Sequence, residues 1–172
     1  MRLWLFLFAL IFVSAWLTWQ LIQLARKHAI LDIPNERSSH SVPTPRGGGA
    51  AILIAFLFGL LAIYVKEVVS NPTFLALILG GGMIAGIGWL DDKRGVAAKW
   101  RLVVHIIAAS LALYLLQHVP ELPFYEYSIW FSYAAYAIAL LAIVWSTNLF
   151  NFMDGINGLA GFEALFVSCG AA

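Results

Sequence analysis

Charge is scarce in this chain. Lys, Arg, Asp and Glu together make up 11% of its 172 residues, against 62% hydrophobic residues, and mean hydropathy is +0.88. A soluble domain of this size has no place for so much apolar surface, so the composition excludes one and points to an integral membrane protein. Cysteine is nearly absent: Cys169 stands alone, in an apolar run. That excludes an intramolecular disulfide and a cysteine-based zinc site, and leaves Cys169 as a small core residue. Low-complexity linkers and internal repeats are also missing, so residues 1–172 read as a single integral membrane domain. The net charge of +1 offers nothing to nucleic acid, because the basic residues sit in membrane loops.

What the chain does contain is apolar segments. They run over Leu3–Ala25, Gly48–Val65, Thr73–Leu90, Leu102–His118 and Ile129–Thr147, and a sixth starts near Gly158 and is cut off at Ala172. Each complete segment is close to the ~20 residues a helix needs to cross the hydrocarbon. The first is too long for the apolar region of a cleaved signal peptide, and no small-residue cleavage site follows it, so it reads as a retained helix. The expected fold is all-α, a polytopic transmembrane bundle of six helices.

Orientation follows from the ten lysines and arginines. Arg26, Lys27, Arg37 and Arg46 lie in the first loop; Lys93, Arg94, Lys99 and Arg101 follow the third segment. Only Arg2 and Lys66 fall on the other side. The positive-inside rule then places both rich loops in the cytoplasm and the N-terminus outside. By alternation the loop after the fifth segment is cytoplasmic too. Trp130, Tyr125 and Tyr127 suit an aromatic belt on the outer side.

Three polar clusters thereby fall on one membrane face. The first is LDIPNERSSHSVPTPRGGG, from Leu31 to Gly49. Its prolines hold the chain extended and turned. Arg37 and Arg46 suit bidentate pairing with phosphate. Gly47, Gly48 and Gly49 let backbone N–H groups approach an anion at the start of the second helix. The Gly-Lys-Ser/Thr ending of a Walker A loop is missing. The alternative is a positive-inside loop with ordinary turn residues.

The second cluster is GWLDDKRG, Gly88 to Gly95. Paired carboxylates, here Asp91 and Asp92, suit a divalent metal or general-base work. Adjacent helical residues point about 100° apart, so both face one site only if the helix ends there. The alternative is a solvated helix end in which they pair with Lys93 and Arg94. Lys99, Trp100 and Arg101 look like interface anchors.

The third cluster, NLFNFMDGINGLAG, runs from Asn148 to Gly161 and combines Asn148, Asn151 and Asn157 with Asp154. Amides and a carboxylate at a membrane boundary are costly unless they bind something. If the fifth helix continues through them, Asn148, Asn151 and Asp154 share one face. The alternative is a polar helix end followed by a small-residue packing face.

In this order, DIPNERSSHSVPTPRGGG, GWLDDKRG and NLFNFMDGINGLAG resemble the polyprenyl-phosphate N-acetylhexosamine-1-phosphate transferases, glycosyl transferase family 4. Each string alone is weak; the three in order with helices between them are specific. The first string, with Arg-Ser-Ser-His and PTPRGGG, resembles the branch that starts O-antigen and related surface polysaccharides. The resemblance implies a bacterial inner-membrane enzyme with a cytoplasmic active face. Its reaction would be UDP-N-acetylhexosamine plus undecaprenyl phosphate giving undecaprenyl-diphospho-N-acetylhexosamine plus UMP, with Mg²⁺, or Mn²⁺ in its place.

By the same resemblance Asp91 or Asp92 helps activate the lipid phosphate, as base or nucleophile. Asp154, with Asn148 and Asn151, positions the nucleotide sugar and shares the metal with Asp91 and Asp92. Arg46 and Gly47 to Gly49 hold phosphate. Many members carry aspartate where this chain has Asn157, so Asn157 is expected to hydrogen-bond substrate and not to ligate metal. A homodimer is compatible with this reading. Complete members carry a further aspartate motif of the Gly-Asp-x-Gly-Ser type and a histidine loop, so the chain is expected to be the N-terminal half of a longer transferase.

Two rival classes stand beside this one. A transporter would carry charge at mid-membrane depth, whereas the polar clusters here lie at segment ends. A truncated, non-catalytic membrane fragment would share every feature above.

Overall fold

The computed structural model describes residues 2–28, 31–32, 43–45, 47–117, 129–153 and 158–170. Among them six helices follow one another: α1 (Arg2–Lys27), α2 (Gly48–Val65), α3 (Asn71–Arg94), α4 (Ala98–Leu116), α5 (Ile129–Met153) and α6 (Leu159–Gly170). The expected all-α membrane bundle is present. Helices α1 to α5 are long and apolar enough to cross a membrane, and α6 is a shorter apolar helix, which makes this a multi-pass membrane protein. Between α1 and α2 a two-residue antiparallel ladder pairs β1 (Leu31–Asp32) with β2 (Thr44–Pro45), setting Leu31 opposite Pro45 and Asp32 opposite Thr44.

The chain forms two compact units. Met1–Val68 and Asp154–Ala172 make the first, Val69–Met153 the second. In the first, α1 packs on α2, and β2 lies against α1. Lipid is as apolar as leucine, so helices in a bilayer associate where small residues allow close approach. Ala51, Ala55 and Gly59, spaced by four on α2, are buried. A methyl group at Gly59 would sit 3.1 Å from Leu10 Cδ1 of α1. Cys169 of α6 is exposed, not in a core as expected, because α6 has no buried residue.

In the second unit, Ser70 caps α3 through its hydroxyl, which accepts from Thr73 N at 3.4 Å, with a proline in the helix's first turn. α3 packs on α4, and α4 on α5. The α3–α4 contact is made of small residues. Gly80 and Ala76 of α3 are buried, as are Ala108 and Ala109 of α4. A methyl built at Gly80 would lie 3.5 Å from Ala108 O and 3.9 Å from Ala112 Cβ. Large apolar side chains point outward instead: Trp145 and Phe152 are more than 70% exposed, as side chains that meet lipid are.

Two boundaries differ from the sequence reading and matter for the site. α3 does not stop at Leu90 but runs on to Arg94, taking in Asp91 and Asp92. α4 begins at Ala98, so Arg101 enters its first turn. Lys93 and Arg94 close α3, where positive charge complements the exposed carbonyls of the helix end. Gly95, at φ +66°, then leaves the helical path.

The packing gives a direct test. Gly80→Leu forces α3 from α4 and is expected to cost about 1–3 kcal/mol, in the range of overpacked cores, read as a lower melting temperature in detergent. Gly82→Leu adds the same side chain where nothing lies within 4 Å and should melt like wild type.

Candidate functional site

The α3–α4 turn is built around Asp91. Gly95 N donates to the Asp91 carbonyl at 2.8 Å. Val96 N donates to Asp91 Oδ1 at 2.6 Å. Arg101 Nη1 donates to Oδ2 at 2.5 Å, as an ion pair ten residues apart. Both side chains are partly buried, Asp91 at 24% exposure and Arg101 at 30%. Both carboxylate oxygens therefore carry a donor, and the two helices are tied at their shared end. Charge-assisted bonds of this kind are about twice as strong as neutral ones.

Helical geometry separates the two aspartates. Because α3 continues through both, their side chains diverge by about 100°. Asp91 turns toward Arg101, and Asp92 is exposed. Lys93 is also accounted for: its Nζ lies 4.0 Å from the centre of the Trp89 ring, one turn back on α3. Lys99 Nζ lies 5.8 Å from the Trp100 ring, an interfacial cation–aromatic pair of the expected anchoring kind. Arg101 does more than anchor, since it is the ion-pair partner of Asp91.

Later in this unit, α5 continues past Thr147 to Met153. Asn148 and Asn151 are therefore three apart on one helix and share a face. Both are exposed. Asn148 Nδ2 donates to Val144 O at 2.7 Å. α4, which packs on α5, carries His105 four residues after Arg101. His105 is 6% exposed. Its Nδ1 is buried without a hydrogen-bond partner.

Sequence reasoning took Arg101 for an interface anchor and passed over His105. The signal available was an ionisable residue inside an apolar segment, set four residues after an arginine. Such residues in membrane helices have a polar partner or a functional site.

In the first unit, Gly47 is the N-cap of α2, at φ +96°, and supplies no side-chain cap. That left-handed conformation strains any residue with a Cβ. Gly48 begins the helix. Arg37, Arg46, Asp154 and Asn157 lie outside the described residues.

Among the described residues no group of three or more His, Cys, Asp and Glu is set to hold a metal ion. Mg²⁺ does not require one: it takes one or two carboxylates and completes its shell with water and substrate phosphate. The exposed carboxylate of Asp92 is a hard oxygen donor of that sort.

The aspartates at the end of α3 and the asparagines near the end of α5 lie in one compact unit, in which α4 packs on both helices. Its family is given by comparison with known proteins: residues 74–172 match the model of glycosyl transferase family 4, and the chain belongs to that family. It is 31% identical over 140 residues to the probable undecaprenyl-phosphate N-acetylglucosaminyl 1-phosphate transferase of Bacillus subtilis, covering 80% of this chain and 38% of that protein. It is 32% identical over 146 residues to the decaprenyl-phosphate N-acetylglucosaminephosphotransferase of Mycobacterium tuberculosis, covering 80% and 36%. It is 30% identical over 166 residues to the undecaprenyl-phosphate alpha-N-acetylglucosaminyl 1-phosphate transferase of Salmonella typhimurium, covering 91% and 41%. The chain thus spans about two fifths of the length of these curated relatives. No solved structure matches it.

The turn predicts a stability pattern. Arg101→Met leaves the Asp91 carboxylate partly buried beside one backbone donor and should cost about 1.5–3 kcal/mol, seen as a fall in melting temperature. Adding Asp91→Asn removes the stranded charge while keeping an acceptor for Val96 N, so the double variant should melt above Arg101→Met.

Proposed function

We propose that the protein to which this chain belongs transfers N-acetylhexosamine 1-phosphate from a UDP-sugar to undecaprenyl phosphate. The transfer takes place at the cytoplasmic face of the bacterial inner membrane and starts O-antigen or a related surface polysaccharide. Family membership carries this reading, together with relatives named for N-acetylglucosamine phosphate transfer to undecaprenyl or decaprenyl phosphate. The O-antigen assignment rests on the first polar string, with its Arg-Ser-Ser-His and PTPRGGG.

In the reaction an oxygen of the lipid phosphate attacks the β-phosphorus of the UDP-sugar. A new P–O bond forms, the anhydride bond to the α-phosphate breaks, and UMP leaves with the electron pair. Both reactants are anions, so the barrier is dominated by charge repulsion, and fixed positive charge and N–H donors are what lower it. Mg²⁺, when bound, supplies neutralisation between the two phosphates.

The chain's own residues do the remaining work. Asp91, held by Arg101 and Val96 N, fixes the α3–α4 turn at the membrane boundary. Asp92, exposed on that turn, faces the lipid phosphate as metal ligand or base. Asn148 and Asn151, on one face of α5, take the nucleotide sugar with Asp154 and Asn157. Arg37, Arg46 and the N–H groups at Gly47 and Gly48 hold phosphate. A homodimer fits this scheme without being required by it.

Two experiments test it. The full-length protein in detergent, with undecaprenyl phosphate, Mg²⁺ and a panel of UDP-N-acetylhexosamines, should release UMP from at least one of them, and Asp92→Asn should lower that rate by about 10²-fold or more, the scale of a lost acid–base or charge-stabilising group. No release with any sugar overturns the transferase reading. For orientation, single cysteines are placed at Lys66 and Lys93 in a Cys169→Ala background. An impermeant maleimide on intact spheroplasts should label position 66 and spare position 93; the reverse pattern overturns the cytoplasmic placement.

A further inference from the structure

The end of α3 and the start of α4 each carry the charge that suits them least. The carbonyl end of a helix disfavours a carboxylate, and its N–H end disfavours a cation. Yet Asp91 stands in the last turn of α3 and Arg101 in the first turn of α4, and both side chains are partly buried. The two offset each other. Arg101 Nη1 donates to Asp91 Oδ2 at 2.5 Å, and Val96 N donates to Oδ1 at 2.6 Å. Gly95 N holds the Asp91 carbonyl. Donors from the turn and from α4 thus converge on one residue, and each carboxylate oxygen carries one. The cations nearer in sequence are engaged with rings: Lys93 lies over Trp89, and Lys99 beside Trp100.

Asp92 is the next residue along, in the same last turn of α3. Helix ends fray, so the direction of its side chain depends on whether that turn is held. We infer that Arg101 is a positioning residue: by clamping the Asp91 carboxylate at the α3–α4 turn it holds the last turn of α3 and fixes the direction of Asp92. The Asp91 carboxylate is committed to that clamp. The two aspartates therefore divide the work, Asp91 as the anchor and Asp92 as the group that acts on substrate. The inference rests on the transfer reading for the role of Asp92. It goes beyond that reading in giving Asp91 no part as base, nucleophile or metal ligand, and in giving Arg101 an effect on rate without contact with substrate.

The test uses the full-length protein, with kcat measured per mole of monodisperse protein and amide hydrogen exchange followed over residues 92–96. Arg101→Met should speed exchange there about tenfold, as local opening becomes easier. It should lower kcat about ten- to a hundredfold, the scale of a group displaced by up to ~1 Å, and leave KM for the UDP-sugar unchanged. Arg101→Lys keeps a cation for Oδ2 and should recover most of the loss. Adding Asp91→Asn to Arg101→Met should lower kcat no further. Adding Arg101→Met to Asp92→Asn should lower it no further than Asp92→Asn alone, since Arg101 acts through Asp92. If Arg101→Met does not fold, Asp91→Asn/Arg101→Met, which strands no charge, replaces it in the comparison with Asp92→Asn.

A further hundredfold loss on adding Asp91→Asn makes Asp91 a chemical group and overturns the inference. Additive losses with Asp92→Asn, or unchanged exchange in Arg101→Met, overturn it too. If the wild-type protein releases no UMP from any sugar, the transfer reading fails and the role of Asp92 falls with it. Exchange then decides the clamp by itself: faster opening of the turn in Arg101→Met supports it, and unchanged exchange overturns it.

Discussion

Hydrocarbon offers a polar group nothing to bond to, and most of this structure follows from that constraint. Backbone groups satisfy themselves by coiling into helices. Side chains do the same locally. Thr18 donates to Ser14 O, Thr147 to Ile143 O, Ser168 to Ala164 O and Asn148 to Val144 O, each reaching back one turn on its own helix. Asp91 bonds to the segment that follows its helix instead, taking its donors from Arg101 and Val96 N.

The same constraint explains how the helices meet. Without a hydrophobic force between them, association depends on close approach and on polar contacts. Gly80 against Ala108 and Ala112 lets α3 and α4 come together, and that proximity brings the start of α4 within reach of the end of α3. The ion pair of Asp91 with Arg101 then closes the turn. Small residues set the distance, and the charged pair sets the register. Asp92 and Asn151 are exposed, while Asp91 is partly buried and His105 buried.

Much of this was readable in order along the chain. Run length and composition were enough for the helices, because crossing a bilayer demands a near-fixed length of apolar residues. The three strings carried the family, and the i, i+3 spacing of Asn148 and Asn151 carried their shared face once α5 was known to continue. The pairing of Asp91 was harder. Lys93 and Arg94 are its neighbours in sequence, yet Lys93 packs over Trp89 and the partner is ten residues away. Nothing local distinguishes those three cations. What distinguishes them is the reversal at Gly95, which turns α4 back alongside α3.

By itself, then, the sequence determined a multi-pass helical membrane protein of glycosyl transferase family 4 and offered candidate residues for its site. Those depend on composition, period and motif, all of which are properties of short stretches. The tertiary structure alone decided that Asp91 and Asp92 diverge, that Arg101 holds Asp91, and that a histidine in an apolar helix is buried. Each of these depends on where one helix ends and how the next returns, and a contact across that return is set by packing distance, which no local pattern of residues records.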